Sequence, residues 1–191
     1  MPLFPATPAD LTDVATLVNS AYRGDSSRQG WTTEADLLGG QRTDPQTLAR
    51  DLAAEPGAAL LVLRETAAGP ALGTAWLQPA EGETWYVGML TVRPELQDRG
   101  LGRGLLEAVE GAALERGARR LRMTVINLRE TLIAWYLRRG YQPTGETEPF
   151  PYGDARFGLP LRDDLHFVVL EKPLGPSGVS DQAAKGGGRK P

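Results

Sequence analysis

A short glycine-rich segment between an apolar run and a helical pattern is the part of the chain best suited to chemistry. The apolar run ends at Val92, Pro94 interrupts it, and residues 97–102 lead directly into a helical periodicity. A helix N-terminus presents unpaired backbone N–H groups and a positive dipole end, and glycine lets the backbone approach a ligand closely. Arg99 and Arg103 add positive charge. The segment therefore predicts a phosphate-binding site, although the glycines could also serve only a tight turn.

Two other phosphate-binding motifs fit this segment less well. A P-loop requires Lys followed by Ser or Thr after its last glycine, and the sequence lacks that pair. A dinucleotide-binding fingerprint requires G-x-G-x-x-G at the start of a helix and an acidic residue about 20 positions further on. Here the third glycine comes early, at Gly104, and Arg120 stands where the acid is required. Nucleoside triphosphate hydrolysis is disfavoured, and a nucleotide-dependent oxidoreductase is a minor alternative.

A second segment, further along the chain, joins the first in resembling a known family. The Q-x-x-G-x-G pattern of residues 97–102, placed after residues 90–94, resembles the coenzyme A pyrophosphate loop of the GNAT acetyltransferases. Residues 134–141 and the earlier Asn127 are similar to that family's later motif, in which an aromatic pair precedes a glycine and another aromatic residue. The resemblance implies the transfer of an acetyl group from acetyl-coenzyme A (acetyl-CoA) to an amine. That amine could be a small molecule, a protein N-terminus or a lysine.

The resemblance also assigns roles to individual residues. One strand would pair with the pantetheine arm through its backbone, and the turn after it would surround the pyrophosphate. The implied cofactor-binding residues are Leu90, Thr91, Val92, Gln97, Asp98, Arg99, Gly100, Leu101, Gly102, Arg103 and Asn127. Tyr136 would lie near the thioester sulfur. In many members the motif asparagine lies seven residues before this tyrosine, whereas Asn127 lies nine before it and Arg129 fills the seventh place. The role of Asn127 is therefore left open.

Direct transfer needs a proton for the departing thiolate, an acceptor for the amine proton and donors for the oxyanion. Tyr136 is the candidate catalytic acid, because a phenol with a pKa near 10 is protonated at neutral pH. It could instead be a core residue, since it shares a helix face with Leu132. Glu83 is the candidate general base, although a glutamate beside Gly82 is also typical of a solvated turn. Backbone N–H groups near Leu90 are the expected oxyanion donors.

Residues 30–42 are the expected acceptor-binding segment. Together with Tyr22, they offer aromatic faces and negative charge in Trp31, Glu34 and Asp36. Such groups suit an organic amine through cation–π attraction and ion pairing. Trp31 could instead fix the loop to the core, and the two acids could be charges near a helix N-terminus. The sequence alone leaves these alternatives open and does not identify the amine.

The order of the predicted elements indicates how these residues are positioned. Helices are predicted to begin at Pro8 and Pro45, after residues that favour the N-cap. The remaining predictions are strands over 60–63, 71–77, 85–92, 121–125 and 166–170, and helices over 101–117 and 131–139. This order indicates an α/β (α+β) fold with a mixed, mostly antiparallel twisted sheet and helices on both faces, as in the GNAT fold. The predicted domain covers residues 1–173, and 174–191 are predicted to be a disordered tail.

Composition narrows the remaining classes. The 191 residues suffice for one domain. The absence of Cys and the single His exclude thiolate and multi-histidine metal sites, so no metal is expected. No apolar run approaches the roughly 20 residues that cross a bilayer, and the start lacks a signal peptide, which predicts a cytoplasmic protein without a membrane partner. A net charge of -3 argues against a nucleic-acid partner. A noncatalytic acyl-CoA sensor is the main alternative function, and a homodimer is left open.

Overall fold

The structure is a computed structural model of the chain, and it describes residues 1–97 and 99–175. The strands are β1 (Leu3–Pro5), β2 (Leu38–Gly39), β3 (Ala59–Leu63), β4 (Gly73–Pro79), β5 (Thr84–Val92), β6 (Arg120–Ile126), β7 (Gln142–Pro149), β8 (Leu159–Pro160) and β9 (His166–Pro173). The helices are α1 (Leu11–Tyr22), α2 (Gly24–Ser27), α3 (Pro45–Ala54), α4 (Leu101–Glu115) and α5 (Glu130–Leu137). Short 3-10 turns lie at Pro8–Asp10, Pro94–Leu96 and Ala155–Phe157.

Seven strands form one mixed sheet in the order β1-β3-β4-β5-β6-β9-β7. Every neighbouring pair is antiparallel except β5 and β6, which are parallel. β2 and β8 form a separate two-stranded sheet. The predicted fold class is confirmed: the sheet is mixed and mostly antiparallel, and helices pack against it.

The apolar run of β3 shows why the sheet is covered on both faces. Side chains alternate between the faces of a strand. Leu61 and Leu63 pack into a cluster with α4 and α5, whereas Leu60 and Val62 pack into a second cluster with α1 and α3. A strand covered on one face only would alternate apolar and polar residues, so the unbroken apolar run reflects the two helical layers.

The start signals of the first two helices act differently. Asp44 caps α3 as expected, since its carboxylate accepts a hydrogen bond from the backbone N–H of Thr47 at 2.8 Å. Residues Pro8–Asp10 form a 3-10 turn, and α1 begins only at Leu11. There Asp10 accepts hydrogen bonds from the backbone N–H and the hydroxyl of Thr7, both at 2.7 Å. Asp10 also forms an ion pair with the buried Arg64, whose Nη1 lies 2.6 Å from Oδ1 of Asp10. This pair connects the turn to the end of β3.

Removing the Asp10 carboxylate is expected to make folding less sensitive to acid. The hydrogen-bonded Arg64 guanidinium holds the pKa of Asp10 at about 2, below its usual value, and Thr7 adds to this effect while burial opposes it. Ionised Asp10 therefore stabilises the fold above about pH 4, by on the order of 1 kcal/mol, and this stabilisation is lost as pH falls towards about 2. Urea unfolding measured across this range should show a steeper loss for the wild type than for Asp10→Asn. Parallel curves would contradict this role.

The prediction missed two strands of the main sheet at its edges. β7 is exposed along its length and contains Pro143, Gly145 and Pro149, which argue against a strand in a sequence. Among the strands of residues 1–97 and 99–175, β7 pairs only with β9, and an edge strand tolerates proline because one side of its backbone needs no partner. β1 has only three residues and forms the other edge. Neither strand shows the alternation of apolar and polar residues by which strands are predicted from a sequence.

Leu174, the first residue of the predicted tail, packs against the domain. Leu174 is buried in the cluster with α4 and α5, and its backbone N–H donates to the carbonyl of Arg119 at 2.7 Å. It therefore belongs to the packed part of the protein. The rest of the predicted tail, from residue 176 onward, lies outside the described residues.

Candidate active site

The candidate site opens where the two parallel strands separate. β5 and β6 pair only over Thr84–Tyr86 and Arg120–Arg122, although both strands continue well beyond these residues. The remaining lengths of β5 and β6 have no ladder between them. Backbone groups on the facing edges are thus available to something other than the sheet.

A bulge in β5 shapes this opening. Thr74 pairs with Thr91 and Trp76 pairs with Gly88, so the two residues Met89 and Leu90 lie opposite one residue of β4. Met89 adopts a left-handed conformation with φ of 45°, which is uncommon for a residue with a side chain. The hydroxyl of Tyr22 donates to the carbonyl of Leu90 at 3.1 Å. The bulge is thereby held by α1, and it re-aims the strand at the opening.

The N-terminus of α4 lies at one side of the opening, as the glycine-rich segment predicts. Gly100 is the N-cap residue with φ of 78°, a left-handed conformation that glycine adopts without strain. A cavity of about 410 Å³, which we call the α4 cleft, runs from this turn to α5. Its lining includes Trp31, Thr32, Leu90, Val92, Gln97, Gly100, Gly102, Arg103, Thr131, Leu132, Trp135, Tyr136, Arg138 and Arg139.

Arginines give the α4 cleft a positive mouth. Arg103 comes from the first turn of α4, and Arg138 and Arg139 follow the end of α5. The guanidinium of Arg139 lies over the ring of Trp135, 3.5 Å from its centroid. Burial, reinforced by the neighbouring Arg138 and Arg103, lowers the pKa of Arg139. The cations are close enough to repel one another, so an anion between them would relieve this repulsion.

Gln97 has a structural role that the motif alone does not reveal. Its side-chain oxygen accepts a hydrogen bond from the backbone N–H of Trp31 at 3.0 Å. Its amide nitrogen donates to the hydroxyl of Thr32 at 2.9 Å and to the carbonyl of Val92 at 3.1 Å. Gln97 therefore fixes the loop after α2 to the end of β5. Trp31, held in this way, packs against Trp135 with ring centroids 5.9 Å apart, on the side of the α4 cleft.

Tyr136 stands between the α4 cleft and a second cavity. Its side chain is buried, and its ring meets Trp135 and Tyr141 edge-on at 5.0 and 5.6 Å. The second cavity, which we call the inner cavity, has a volume of about 120 Å³. Leu90, Leu132 and Tyr136 line both cavities. Burial raises the pKa of Tyr136, so its hydroxyl stays protonated far above neutral pH.

The inner cavity has aromatic walls and a charged end. Phe150, Phe157 and Phe167 supply apolar surface from the later strands and loops, and Tyr86 adds an aromatic ring from β5. The charged residues in its lining are Arg23, Glu34, Arg42 and Arg129. The two cavities thus form one path across the opening, with Tyr136 at the point where they meet.

Comparison with known proteins agrees with this geometry. The sequence matches the model of the acetyltransferase (GNAT) family over residues 18–141, which is more than half of the chain. The chain belongs to the GNAT family. No curated protein matches its sequence.

Solved structures of other GNAT proteins share the fold at low sequence identity. The chain is similar to ribosomal-protein-alanine N-acetyltransferase from Brucella melitensis, with a TM-score of 0.66 and 20% identity over 91% of this chain and 100% of the other. For a GNAT acetyltransferase from Staphylococcus aureus the TM-score is 0.60 and the sequence identity 12%, over 91% of this chain and 99% of the other. For nourseothricin acetyltransferase the TM-score is 0.52 and the sequence identity 22%, over 63% of this chain and 67% of the other. Two of these names give different acceptors and the third gives none, and all identities are below 25%, so the likeness concerns the fold.

The place that many GNAT proteins give to an asparagine holds a buried arginine here. Arg129 Nη1 contacts Glu34 Oε1 at 2.9 Å, and its Nη2 donates to the carbonyl of Thr32 at 2.5 Å. Arg23 binds the other oxygen of Glu34. Burial opposes ionisation of Glu34, but the charges of Arg129 and Arg23 prevail and lower its pKa. Arg129 therefore fastens the segment before β2 to the start of α5.

The structure brings together only part of the residues that the resemblance implies. Those that line the α4 cleft are Leu90, Val92, Gln97, Gly100, Gly102, Arg103 and Tyr136. Thr91 is buried, with its hydroxyl donating to the carbonyl of Met89 at 2.8 Å. Arg99 is exposed beside the turn, and Leu101 packs towards the core. Asp98 lies outside the described residues.

Asn127 and Glu83 are placed away from the cleft. The side chain of Asn127 accepts from the backbone N–H of His166 at 3.1 Å and donates to the carbonyl of Asp164 at 3.2 Å, so it is occupied in holding the start of β9. Glu83 is exposed in the turn before β5, and its carbonyl accepts from the backbone of Arg119 at 2.8 Å. Leu90 lies seven residues along the strand, about 20 Å away. The structure therefore does not bring Glu83 to the site.

The acceptor segment is also arranged differently from the expectation of an anionic amine site. Glu34 is neutralised by two arginines, and Asp36 is exposed and pairs with Arg28 at 2.7 Å. Trp31 faces the α4 cleft, whereas Tyr22 does line the inner cavity. The charges that face the inner cavity are mostly positive, a feature that only the distant contacts of the fold reveal.

Within the described residues no cluster of side chains could hold a metal ion, and no helix is long and apolar enough to span a bilayer.

Proposed function

We propose that this GNAT protein transfers an acetyl group from acetyl-CoA directly to an amine at the junction of the two cavities. The observation that carries this proposal is the position of Tyr136, whose side chain lines both the α4 cleft and the inner cavity. One cavity can hold the acyl donor while the other holds the acceptor. The family match supports an acetyltransferase, and the cavities give each reactant a place.

The α4 cleft has the features that a coenzyme A pyrophosphate requires. Backbone N–H groups at the start of α4 can donate to phosphate oxygens, and Arg103, Arg138 and Arg139 can balance their charge. Between Leu90 and Val92 the edge of β5 that faces β6 pairs with no strand. The carbonyls of Leu90 and Val92 each accept one side-chain hydrogen bond, which leaves one lone pair on each for an amide of the pantetheine arm, bound as an added strand would be. The thioester then lies next to Tyr136.

The reaction at this junction is a direct substitution at the thioester carbonyl. The amine nitrogen forms a bond to the carbonyl carbon, and backbone N–H groups at the β5 bulge stabilise the oxyanion. The carbon–sulfur bond then breaks and the sulfur takes the hydroxyl proton of Tyr136. The amine gives up its proton to solvent, and solvent in turn reprotonates the phenolate. The products are an acetamide and the coenzyme A thiol.

The inner cavity favours an amine that arrives neutral. Glu34, the carboxylate in its lining, is held ionised by two guanidinium groups and has a lowered pKa, which makes it a poor proton acceptor. Arg23, Arg42 and Arg129 place positive charge around the acceptor, and such charge lowers the pKa of a bound ammonium. The field of the cavity can therefore serve in place of a dedicated general base.

Calorimetry separates this proposal from an oxidoreductase. Acetyl-CoA should bind with a stoichiometry of about one, and NADPH should give no comparable heat. Tight NADPH binding without acetyl-CoA binding would overturn the proposal. A noncatalytic sensor would also bind acetyl-CoA, so it is distinguished by turnover instead.

Gly102→Val is expected to weaken acetyl-CoA binding by about tenfold or more while the fold is retained. A Cβ at Gly102 would lie in ordinary contact with Trp135, 3.6 Å away, so the side chain would project into the wall of the cleft. Hydrogen bonds from the helix N-terminus to a charged phosphate are worth about 1.5–3 kcal/mol each, and losing part of one gives this change. Gly100 is a poorer choice, since its φ of 78° would strain any other residue.

Gly111→Val is the matched control for this variant. Gly111 lies in the same helix, a Cβ there has no atom within 4 Å, and it lies outside the lining of the cleft. Calorimetric titration with acetyl-CoA should show weaker binding for Gly102→Val only. Equal affinities in the two folded variants would mean that the start of α4 does not approach the cofactor.

A further inference from the structure

The charges around the inner cavity carry an inference about the acceptor itself. Three guanidinium groups and one carboxylate line it. Arg23 binds Oε2 of Glu34 and Arg129 binds Oε1, so both carboxylate oxygens are already used. This leaves the lining with a net charge of two positive units, since three cations face one anion. A low-dielectric pocket with this balance attracts an anion and repels a cation.

Arg42 differs from the other two arginines of this lining in the surroundings of its guanidinium. Within residues 1–97 and 99–175 its side chain forms no ion pair and no hydrogen bond, in contrast to Arg23 and Arg129. Its backbone is nevertheless fixed, because its N–H donates to Oδ1 of Asn19 at 2.6 Å. The residue is half-buried and lines the inner cavity. A positioned arginine with free donors is suited to bind a carboxylate through two parallel hydrogen bonds.

The size of the inner cavity limits what can enter. Its volume of about 120 Å³ is well below the roughly 300–1,000 Å³ of sites for drug-sized ligands, so the part of the acceptor that lies inside it must be compact. A neighbouring cavity of about 410 Å³ shares part of this lining, including Arg42 and Phe157, and leaves room for the rest of a larger acceptor. Phe150, Phe157 and Phe167 form apolar walls that suit a short hydrocarbon part. Tyr136 and Arg42 line this same small cavity, so an acceptor whose amine faces Tyr136 can place a nearby anionic group towards Arg42.

Resting on the proposed acetyl transfer, we propose that the acceptor is a small amine with a carboxylate near its amino group, of the α-amino acid class, and that Arg42 binds this carboxylate. The positive lining disfavours polyamines and other multiply charged cations as acceptors. A peptide N-terminus would place a neutral amide where the carboxylate is expected. The charge of the cavity thus distinguishes a free amino acid from a protein acceptor.

Matched acceptors test this assignment. Several α-amino acids and the carboxamide of each are compared by the release of coenzyme A thiol from acetyl-CoA. The acids should have a kcat/KM at least tenfold higher than their amides. The amino group of each amide is less basic than that of its acid, so a larger fraction of the amide is neutral and reactive. This difference alone would favour the amides, so a preference for the acids cannot come from amine basicity. A preference for amides or for short peptides would overturn the inference while leaving acetyl transfer intact.

Arg42→Gln should lower the ratio of kcat/KM for acids over amides at least tenfold, mainly through a higher KM for the acids. Arg50→Gln is the control: Arg50 is exposed on α3 and lies outside the linings of the inner cavity and the α4 cleft, so the ratio should be unchanged. Acetyl-CoA affinity, measured by calorimetry, should be the same in both variants and the wild type. An equal loss for acids and amides in Arg42→Gln would overturn the role of Arg42.

A binding measurement keeps this inference separate from turnover. Calorimetric titration of amino acids into the protein saturated with coenzyme A should show binding in the wild type and at least tenfold weaker binding in Arg42→Gln. If binding depends on Arg42 but no amine releases thiol, the carboxylate-binding role of Arg42 stands and acetyl transfer fails. If the amino acids do not bind, or bind equally in both proteins, the inference is wrong.

Discussion

Tyr136→Phe is expected to lower the maximal rate of acetyl transfer by about 10²- to 10⁴-fold, the usual contribution of a positioned acid. Burial raises the pKa of this phenol, so the hydroxyl remains protonated throughout the pH range of an assay. The substitution keeps the ring, whose edge-on contacts with Trp135 and Tyr141 hold the end of α5. The free energy of unfolding should therefore change by about 1 kcal/mol at most. Acetyl-CoA affinity should stay close to that of the wild type.

Tyr141→Phe is the matched control, because Tyr141 is a fully buried neighbour that lines neither cavity. Its loss of a hydroxyl should leave the maximal rate unchanged. Single-turnover measurements should be used so that the chemical step is observed. An acyl thioester with a more acidic leaving thiol should reduce the defect of Tyr136→Phe, since such a thiolate needs less protonation. Wild-type single-turnover rates in folded Tyr136→Phe would remove this residue from the mechanism.

Glu34→Gln is expected to reduce the free energy of unfolding by about 3–5 kcal/mol, the usual cost of breaking a buried ion pair. The Glu34 side chain is 10% exposed and those of Arg23 and Arg129 are 5% and 8% exposed, so little solvent reaches the cluster. A neutral amide would leave two buried guanidinium groups without a counter-ion. Arg129→Gln should cost less, since Arg23 would still neutralise Glu34. Urea unfolding of the three proteins measures this order.

Arg28→Gln provides the control for this prediction. It removes an ion pair of the same segment, Arg28 with Asp36, but both side chains are largely exposed. Exposed ion pairs contribute about 0–1 kcal/mol to the free energy of unfolding, so the urea midpoint of Arg28→Gln should be close to that of the wild type. A loss for Glu34→Gln no larger than that for Arg28→Gln would show that the buried cluster does not hold the acceptor segment in place.

Local patterns account for the parts of the site that the sequence predicts well. The turn at Gly100 and the start of α4 follow from glycine spacing after a strand, and Tyr136 follows from its place in a second motif. The two helical layers also follow from periodicity. Even β3, whose unbroken apolar run is ambiguous by itself, is placed correctly because strands and helices alternate around it.

The remaining features depend on contacts between distant residues. Glu34 and Arg129 lie 95 positions apart, so no local pattern shows that one neutralises the other and that an expected amine site becomes positive. Gln97 belongs to the motif, yet its partners Trp31 and Thr32 are more than 60 positions away. Glu83 adjoins β5 in sequence but lies at the wrong end of it. The separation of β5 from β6 likewise has no signal in either strand.

Thiol release from acetyl-CoA in the presence of an amine panel is the decisive measurement of acetyl transfer by this protein. The panel should contain α-amino acids, their amides, short peptides and simple alkylamines, and mass spectrometry should identify the acetylated product. We expect acceptor-dependent release of coenzyme A thiol, with one acetamide formed per thiol, and a loss of both in Tyr136→Phe. Saturable binding of acetyl-CoA with no acceptor-dependent thiol release across the panel would contradict this expectation and indicate a sensor.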